Sequence, residues 1–296
     1  MFPKQVNIRE VGPRDGLQNE KFNVPLKAKV ELINRLNDCF FNYIEIGSFV
    51  SPKWIPQMED TENLIKLIKK KPNTIYPYLV PNIQGLSKAL DKGIKNICVF
   101  TTASESFSKK NTNCNIEESL IRIKNIFQIA KKENITVRGY ISCVLGCPYE
   151  GKIDFRKIAN LSEKLINLGC YEVSLGDTVG YGTPNKVNEL IKEVKKKLDV
   201  NQIAVHFHDT YGQALANIYA ALQLGIKNID SSVGGLGGCP YAKGAKGNVA
   251  TEDVVYMLNG MGIKTGIDLK QVVKTAHFIY ALLKKPPASR VAVAMK

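Results

Sequence analysis

Histidine is rare in this sequence, which has only three among 296 residues. Arginine is also scarce, since seven of the 41 basic residues are arginine and the rest are lysine. No apolar run reaches the roughly 18 residues of a transmembrane helix, so we expect no membrane span. No signal peptide or arginine-rich transit segment precedes the first strand-like pattern. We therefore expect a cytoplasmic protein, or one from which a targeting segment has been removed.

The scarcity of arginine also bears on the net charge of +14. The densest lysine runs, at residues 69–71 and 192–197, lie on or just after predicted helices and are typical of solvated helix faces. No basic motif interleaved with aromatic residues accompanies them, so we expect no nucleic-acid partner. The charge would still attract an anionic substrate.

The seven cysteines are scattered along the chain and odd in number. Without a secretory signal, this pattern predicts unpaired thiols in a reducing compartment. Cys143 and Cys147 have a spacing that could suggest zinc. No second cysteine or histidine pair with zinc-finger spacing accompanies them, which disfavours a structural zinc site.

Short β-branched runs alternate with segments of helical periodicity along the chain. Helical spacing is clearest over 115–132, and Pro25, Pro56 and Pro184 lie where helices are expected to start. Eight such units in a chain of this length predict an α/β fold, a closed (β/α)₈ TIM barrel. An open doubly wound sheet is the alternative, but its Gly-x-Gly-x-x-Gly after the first strand is absent. We predict strands at residues 6–11, 43–49, 75–80, 96–101, 136–142, 172–177, 203–208 and 228–233.

The chain contains no recognisable linker and no low-complexity region. We therefore expect a single catalytic domain over residues 1–296. A last amphipathic segment, 267–285, predicts an additional C-terminal helix. We assign it to a helical extension of the barrel over about 266–290.

Two of the three histidines, His206 and His208, lie two positions apart at the end of a predicted buried strand. Residues i and i+2 of a strand point to the same face, so the two rings should project side by side. Such a pair can provide two imidazole ligands to one metal ion. The alternative is a hydrogen-bonded pair of histidines in the core.

Other reactive residue types also fall at the carboxyl ends of predicted strands, where barrel enzymes place their chemistry. Strands distant in sequence would bring these side chains to one mouth of the barrel. The residues concerned are Arg14, Asp15, Glu45, Asp177, Asn248 and Cys239.

Two of these residues could complete a metal site beside the histidines. Asp15 would contribute a carboxylate oxygen and Asn248 a carbonyl oxygen. Two nitrogens and two oxygens suit Mg²⁺ or Mn²⁺ better than structural zinc. The alternatives are that Asp15 is a turn residue before Gly16 and that Asn248 caps a helix at 249–259.

Three further residues could act on the substrate. Arg14 would place a fixed positive charge beside the metal, where a guanidinium stabilises an enolate or holds a carboxylate. Its alternative role is a salt bridge with Asp15 or Glu45. Glu45 would orient Arg14 or accept a hydroxyl proton, or would be a charge buried for structure. The glycine-rich loop 234–241 would carry Cys239 over the mouth as a lid with a proton donor. The alternative is a buried, inert cysteine.

The chain resembles the 3-hydroxy-3-methylglutaryl-CoA lyase family from about residue 6 to residue 290. The resemblance implies a pyruvate carboxyltransferase-like barrel that uses a divalent cation, Mg²⁺ or Mn²⁺. It also implies cleavage of 3-hydroxy-3-methylglutaryl-CoA to acetoacetate and acetyl-CoA, a retro-Claisen reaction. The stretches that carry the resemblance are residues 11–20, 47–54, 142–151, 206–217 and 235–242.

The resemblance also implies roles for individual residues. It makes Arg14 the residue that stabilises the acetyl-CoA enolate and Cys239 a catalytic acid or base. Glu45 and Asp177 resemble supporting residues of the family's pocket. Four residues resemble the metal ligands: Asp15, His206, His208 and Asn248.

Two assignments stay open at this point. The first general base could be Asp15 or His206. The CoA phosphates would favour nearby cations, and Lys21, Lys109 and Lys110 are expected in loops after strands 1 and 4. Of these, we assign Lys21 and Lys110 to substrate binding.

The resemblance further implies a homodimer that acts in leucine breakdown and ketone-body formation. Many members carry alanine where Gly234 stands, a change that we expect to be mild. Residues 292–296 lack the near-terminal cysteine of animal members and a Ser-Lys-Leu signal. This favours a cytoplasmic enzyme of bacterial style, with a processed form in the mitochondrial matrix as the alternative.

Two other functions compete with the lyase assignment. Synthases that condense acetyl-CoA with a 2-oxo acid share the Arg-Asp and His-x-His elements. They usually carry asparagine after the second histidine, where this chain has Asp209, and often a C-terminal regulatory domain. The Gly-Leu-Gly-Gly-Cys-Pro loop also favours the lyase. The second alternative is a basic barrel that binds nucleic acid without catalysis. It is disfavoured because these site residues would then have no function.

Overall fold

Eight parallel strands form the centre of the molecule in the computed structural model, which describes residues 1–238 and 247–296. The strands are β1 (Asn7–Glu10), β2 (Gly47–Ser48), β3 (Tyr78–Leu79), β4 (Asn96–Thr102), β5 (Thr136–Ser142), β6 (Glu172–Asp177), β7 (Ile203–Phe207) and β8 (Asn228–Ser231). Six of the eight strands, all except β2 and β3, have bounds within two residues of the predictions, because local side-chain preference sets them.

The sheet runs in the order β1, β8, β7, β6, β5, β4, β3, β2, and every neighbouring pair is parallel. Its two ends also meet. Glu10 donates its backbone N–H to the carbonyl of Tyr43 at 3.2 Å, and its own carbonyl accepts from the N–H of Glu45 at 2.9 Å. The fold is therefore an α/β TIM-barrel-like fold and not an open doubly wound sheet.

Strands β2 and β3 are much shorter than predicted. Residues 43–46 and 75–77 still lie side by side, since Ile44 donates to Ile75 and Ile46 donates to Pro77. Pro77 has no N–H to return, so the ladder is interrupted there. The chain remains extended, but only two residues of each strand form a continuous ladder.

Helices connect the strands and cover their outer faces. The prediction for 115–132 is confirmed, because a helix begins at Ile116 behind a capping box between Asn115 and Glu118 and ends at Ala130. Among the described residues, no helix is long and apolar enough to cross a membrane. The helices are α1 (Leu26–Asp38), α2 (Thr61–Leu67), α3 (Ile83–Asp91), α4 (Glu105–Thr112), α5 (Ile116–Ala130), α6 (Phe155–Leu168), α7 (Pro184–Val194), α8 (Ala214–Gln223), α9 (Thr251–Gly260), α10 (Leu269–Leu282) and α11 (Arg290–Ala294).

Helix α10 packs against α1, where the Arg35 guanidinium lies 4.5 Å from the centre of the Phe278 ring. It also covers Gly234, which has a positive φ of 65°. A Cβ added at Gly234 would overlap with the ring of Tyr280. The expectation that alanine is mild at this position is therefore wrong for this chain, because both the backbone and the neighbouring ring oppose a side chain.

The apolar core lies between the strands and the helices, and the barrel interior is largely polar. Polar residues are buried at alternate positions of two strands, Arg138 and Tyr140 on β5 and Asn228 and Asp230 on β8. The six cysteines within the described residues are buried and form no disulfide, as predicted. The polar interior leads directly to the carboxyl ends of the strands, where the candidate site lies.

Candidate active site and metal centre

The turn after β1 presents Arg14 and Asp15. It is a single π-helical turn, Gly12–Gly16, with Pro13 in its first positions. The N–H of Asp15 donates to the carbonyl of Val11 at 2.8 Å. At the base of the turn, the Glu10 carboxylate accepts the N–H of Gly12 at 2.8 Å. The turn is therefore held in one conformation by its own backbone and by a buried carboxylate.

The end of β7 presents the two histidines on one face, as the alternation of a strand predicts. The Nε2 atoms of His206 and His208 lie 3.3 Å apart. On its other side, His206 places Nδ1 3.3 Å from Oδ2 of Asp230. A proton on Nδ1, donated to Asp230, leaves Nε2 with a free lone pair that can bind a metal.

Asn248 reaches the same point from the segment after β8. This segment pairs with the end of β7, where Val249 donates to the carbonyl of Phe207 at 3.1 Å. The Asn248 amide donates from Nδ2 to Asp15 Oδ2 at 2.8 Å. Helix α9 begins beyond it, with Ala250 at the N-cap position. The helix-cap alternative for Asn248 is therefore wrong.

One ligand atom each from Asp15, His206 and His208 lies within 4.8 Å of the others. The contact between the two rings is the one that a structural histidine pair would make. However, the Asp15 carboxylate also approaches, with Oδ2 3.8 Å from Nε2 of His206. Two imidazole nitrogens and a carboxylate oxygen converging in this way fit a divalent cation. Turning the Asn248 amide would bring its oxygen toward the same point.

The protonation states of Asp15 and His208 suit metal binding, whereas burial of His206 is outweighed by the hydrogen bond to Asp230 and the nearby carboxylates, which raise its pKa. Burial by itself raises the pKa of Asp15, but the Arg14 guanidinium and the two histidines lower it to about 2. Burial and the neighbouring His206 ring lower the pKa of His208 to about 4. Near neutral pH, Asp15 is therefore ionised and His208 is neutral, which are the forms that coordinate cations.

Arg14 is fixed beside this centre and is only 5% exposed. Its Nε and Nη2 donate to the two oxygens of Glu45 at 2.7 and 3.1 Å. Its Nη1 donates to Oδ1 of Asp15 at 2.6 Å. Both salt bridges considered as an alternative role are thus present. They also hold the guanidinium next to the candidate metal ligands, and Glu45, itself fully buried, orients it.

Three residues that the sequence analysis missed support the site from within the barrel: Arg138, Tyr140 and Asp230. Tyr140 donates from its hydroxyl to Oε2 of Glu45 at 2.6 Å. Asp230 faces His206, and Arg138 contacts both Tyr140 and Asp230. The sequence did contain a signal for them. Side chains at alternate positions of a strand point into the barrel interior, and two predicted buried strands carry polar residues at every second position.

Asp177 is fully buried but has a different environment. Its Oδ1 and Oδ2 accept the backbone N–H groups of Tyr181 and Gly182 at 3.0 and 2.8 Å. Burial raises the pKa of Asp177 to about 6. Within residues 1–238 and 247–296, its carboxylate makes no hydrogen bond to the side chains of the metal centre. Asp177 thus shapes the loop between β6 and α7, and its catalytic role stays a prediction.

The remaining predicted residues lie farther out. Lys21 is exposed in the loop after β1. Lys109 and Lys110 lie in α4 and not in a loop, because Ser104 caps a helix directly after β4. The ammonium of Lys110 lies 3.8 Å from the centre of the Tyr149 ring. Cys239 lies outside the described residues.

The family model described as HMGL-like matches residues 5–279. A rat protein named "3-hydroxy-3-methylglutaryl-CoA lyase, cytoplasmic" is 55% identical over 99% of this chain and 85% of its own length. A chicken protein named "Hydroxymethylglutaryl-CoA lyase, mitochondrial" is 53% identical over 99% of this chain and 98% of its own.

Solved structures of proteins with the same names also match nearly the whole chain. A hydroxymethylglutaryl-CoA lyase from Pseudomonas aeruginosa has a TM-score of 0.97 and 51% identity, and the match covers 99% of this chain and 98% of that one. An HMG-CoA lyase from Acinetobacter, solved in complex with coenzyme A and 3-methylmalate, has a TM-score of 0.95 and 36% identity. That match covers 99% of this chain and 96% of the other.

Proposed function

The chain belongs to the HMGL-like family, and we propose that it cleaves 3-hydroxy-3-methylglutaryl-CoA to acetoacetate and acetyl-CoA. The observation that carries this proposal is the convergence of Asp15, His206 and His208 on one point beside a fixed arginine. Relatives named as this lyase match nearly the whole chain.

The proposed cofactor is Mg²⁺ or Mn²⁺, held by Asp15, His206, His208 and Asn248. A bound divalent cation would supply Lewis acidity that makes the substrate's tertiary hydroxyl easier to deprotonate. The low pKa of Asp15 and of His208 supports this assignment, because both groups are in their ligating forms at neutral pH.

Arg14 is proposed to stabilise the negative charge on the departing enolate. Its bonds to Glu45, Asp15 and Gln18 use four of the five N–H groups of a guanidinium, so one N–H on Nη2 remains for the substrate. Because the group is held by two carboxylates, it need not reorganise as charge develops. Glu45 acts in this proposal as the residue that orients Arg14.

The proton transfers involve two further assignments. We propose either Asp15 or His206 as the base that removes the hydroxyl proton. Cys239 is proposed to donate a proton to the carbon of the enolate. Support for this comes from the resemblance of the glycine-rich loop that carries it to the lyase family. Asp177 is proposed to act through the shape of its loop.

The wider assignments follow the same reasoning. The substrate is CoA-linked, and we propose Lys21 and Lys110 as contacts for its phosphates. We propose one catalytic domain with a C-terminal helical extension over about 266–290, and a homodimer as the assembly. The proposed location is the cytoplasm, or the mitochondrial matrix for a processed form, and the proposed pathways are leucine degradation and ketone-body formation. Relatives named for either compartment are compatible with this.

The test is acetyl-CoA release from 3-hydroxy-3-methylglutaryl-CoA under reducing conditions, with Mg²⁺ and then with EDTA. Wild type should cleave only with metal present, and Arg14→Gln and Cys239→Ala should lose activity by several powers of ten. Arg156→Gln, an exposed arginine whose carboxylate partner is Asp154, is the matched control and should behave as wild type. No cleavage by the wild type would refute the assignment. Condensation of acetyl-CoA with 2-oxo acids would then be tested on the same protein.

A further inference from the structure

A single buried guanidinium lies beneath the candidate site. Arg138, on β5, is fully buried in the barrel interior. Its Nε donates to Oε1 of Glu172 at 2.6 Å. Its Nη1 donates to the Tyr140 hydroxyl at 2.7 Å, and Nη2 donates to Oδ1 of Asp230 at 2.7 Å. One side chain therefore joins three acceptors that come from strands β5, β6 and β8.

The contact of Arg138 with Asp230 leads to the candidate metal centre. Asp230 accepts from Nη1 and Nη2 of Arg138 and from the Ser174 hydroxyl, which lies 2.8 Å away. Its Oδ2 also faces Nδ1 of His206 at 3.3 Å. A carboxylate fixed in this way sets which ring nitrogen of the histidine carries the proton and how the ring is turned.

The contact of Arg138 with Tyr140 leads to Arg14. Because the Tyr140 hydroxyl accepts from Arg138, its own proton can be donated only elsewhere, and Oε2 of Glu45 lies 2.6 Å away. Glu45 then holds Arg14 through both of its oxygens. The direction of each hydrogen bond along this path is set by the guanidinium, which can only donate.

We propose that Arg138 is a positioning residue shared by the two halves of the site. Through Asp230 it orients His206 for the metal, and through Tyr140 and Glu45 it orients Arg14 for the enolate. Only the part of this inference that concerns Arg14 and the rate of cleavage rests on the proposed lyase function. The metal half concerns Asp230 and His206 and can be tested without any substrate.

Lysine cannot replace arginine in this role. The three acceptors of Arg138 lie around a planar fork, whereas lysine places all its donors on one nitrogen. Arg9 offers a matched control, because it also donates to Glu172, at 2.6 Å, from inside the barrel. In the described part of the chain, Arg9 makes no hydrogen bond to Tyr140 or Asp230. Arg9→Lys therefore repeats the chemical change without touching either path.

The experiment measures Mn²⁺ affinity of the purified, metal-free protein by electron paramagnetic resonance, and kcat and KM for 3-hydroxy-3-methylglutaryl-CoA at saturating metal. Asp230→Asn should weaken Mn²⁺ binding by about 10- to 100-fold. Tyr140→Phe should leave Mn²⁺ affinity unchanged and lower kcat by about 10-fold, with little change in KM. Arg138→Lys should show both losses together, and Arg9→Lys should show neither.

Several outcomes would overturn the proposal. If Asp230→Asn kept the wild-type Mn²⁺ affinity, the path through Asp230 to His206 would be refuted. If Tyr140→Phe kept the wild-type kcat, the path through Tyr140 to Arg14 would be refuted. Equal losses in Arg9→Lys and Arg138→Lys would mean that Arg138 acts only through general packing. An inactive wild type would refute the lyase function, but the Mn²⁺ series would still decide the metal half.

Arg138→Lys could fail to fold, because it leaves buried carboxylates poorly paired. The double variant Arg138→Gln with Asp230→Asn avoids this, since Arg9 still neutralises Glu172. Its kcat should fall below that of Asp230→Asn alone, because the path through Tyr140 is lost as well. Equal kcat values for the single and double variants would overturn the role of Arg138 toward Arg14.

Discussion

Glu10 should make the free energy of unfolding of this protein depend on pH between 4.5 and about 7. Its Oε1 accepts the N–H groups of Gly12 and Val233 at 2.8 and 2.9 Å, and its Oε2 accepts from Thr251 at 2.7 Å. These bonds favour the carboxylate, but complete burial outweighs them. Burial raises the pKa of Glu10 from 4.5 to about 7.

The sign and size of the effect follow from this shift. A carboxyl group whose pKa is higher in the folded state favours folding while it is protonated. That contribution is complete below pH 4.5 and is lost as the pH rises toward 7. The difference between the two pKa values corresponds to roughly 3 kcal/mol in the free energy of unfolding.

Glu10→Gln removes the titration and keeps the contacts. The amide oxygen can accept from Gly12 and Val233, and the amide nitrogen can donate to the Thr251 hydroxyl. That hydroxyl can then donate to Ser231, whose Oγ lies 2.8 Å away. Between pH 5 and pH 8, the wild type should therefore lose stability relative to the variant, by up to roughly 3 kcal/mol.

The assay is urea unfolding of wild type and Glu10→Gln at intervals between pH 5 and pH 8. Glu252, a second buried carboxyl group in this region, is present in both proteins. Burial raises its pKa and the neighbouring Glu10 charge raises it further, so the pH-dependent difference includes this coupling. Glu117→Gln, a change at an exposed residue of α5, serves as the control and should show a constant difference from wild type. A difference between wild type and Glu10→Gln that is independent of pH would refute the reasoning.

The other predictions concern the loop after β8 and the site. Gly234→Ala should destabilise the fold by about 1–3 kcal/mol, because φ is positive and the Tyr280 ring occupies the space, measured by thermal unfolding. Removing the ring with Tyr280→Ala should reduce that cost, and an unchanged cost would assign it to the backbone alone. Glu45→Gln should lower kcat by about 10- to 100-fold with Mn²⁺ affinity nearly unchanged, since Arg14 loses a charged partner. Asn248→Ala should weaken Mn²⁺ binding by titration calorimetry, and wild-type affinity would remove it from the ligand set.

Local patterns in the sequence were sufficient for most of the fold. Strands β5 and β6 have the predicted bounds, 136–142 and 172–177, because β-branched residues and flanking turns specify them locally. The two histidines were placed correctly on one face of β7, because alternation is a property of any strand. Arg14 and Asp15 could be placed at the same rim, because all strands of a parallel barrel end on one side.

Other features depended on contacts that no local pattern contains. The ladder of β2 and β3 is shortened by where Pro77 falls against its neighbour, and Lys110 lies in a helix because Ser104 caps one there. The overlap between Gly234 and Tyr280 arises from the packing of α10 on the loop after β8.

The support beneath the site was decided by the tertiary structure alone. Arg138 and Asp230 lie 92 positions apart, and both were visible in the sequence as charged residues in buried strands. Their pairing depends on the stagger of β5 and β8 across the barrel, which sets which inward-facing residues share a layer. The sequence by itself therefore determined which residues could reach the candidate site. The stagger of the strands decided which buried charges hold them there.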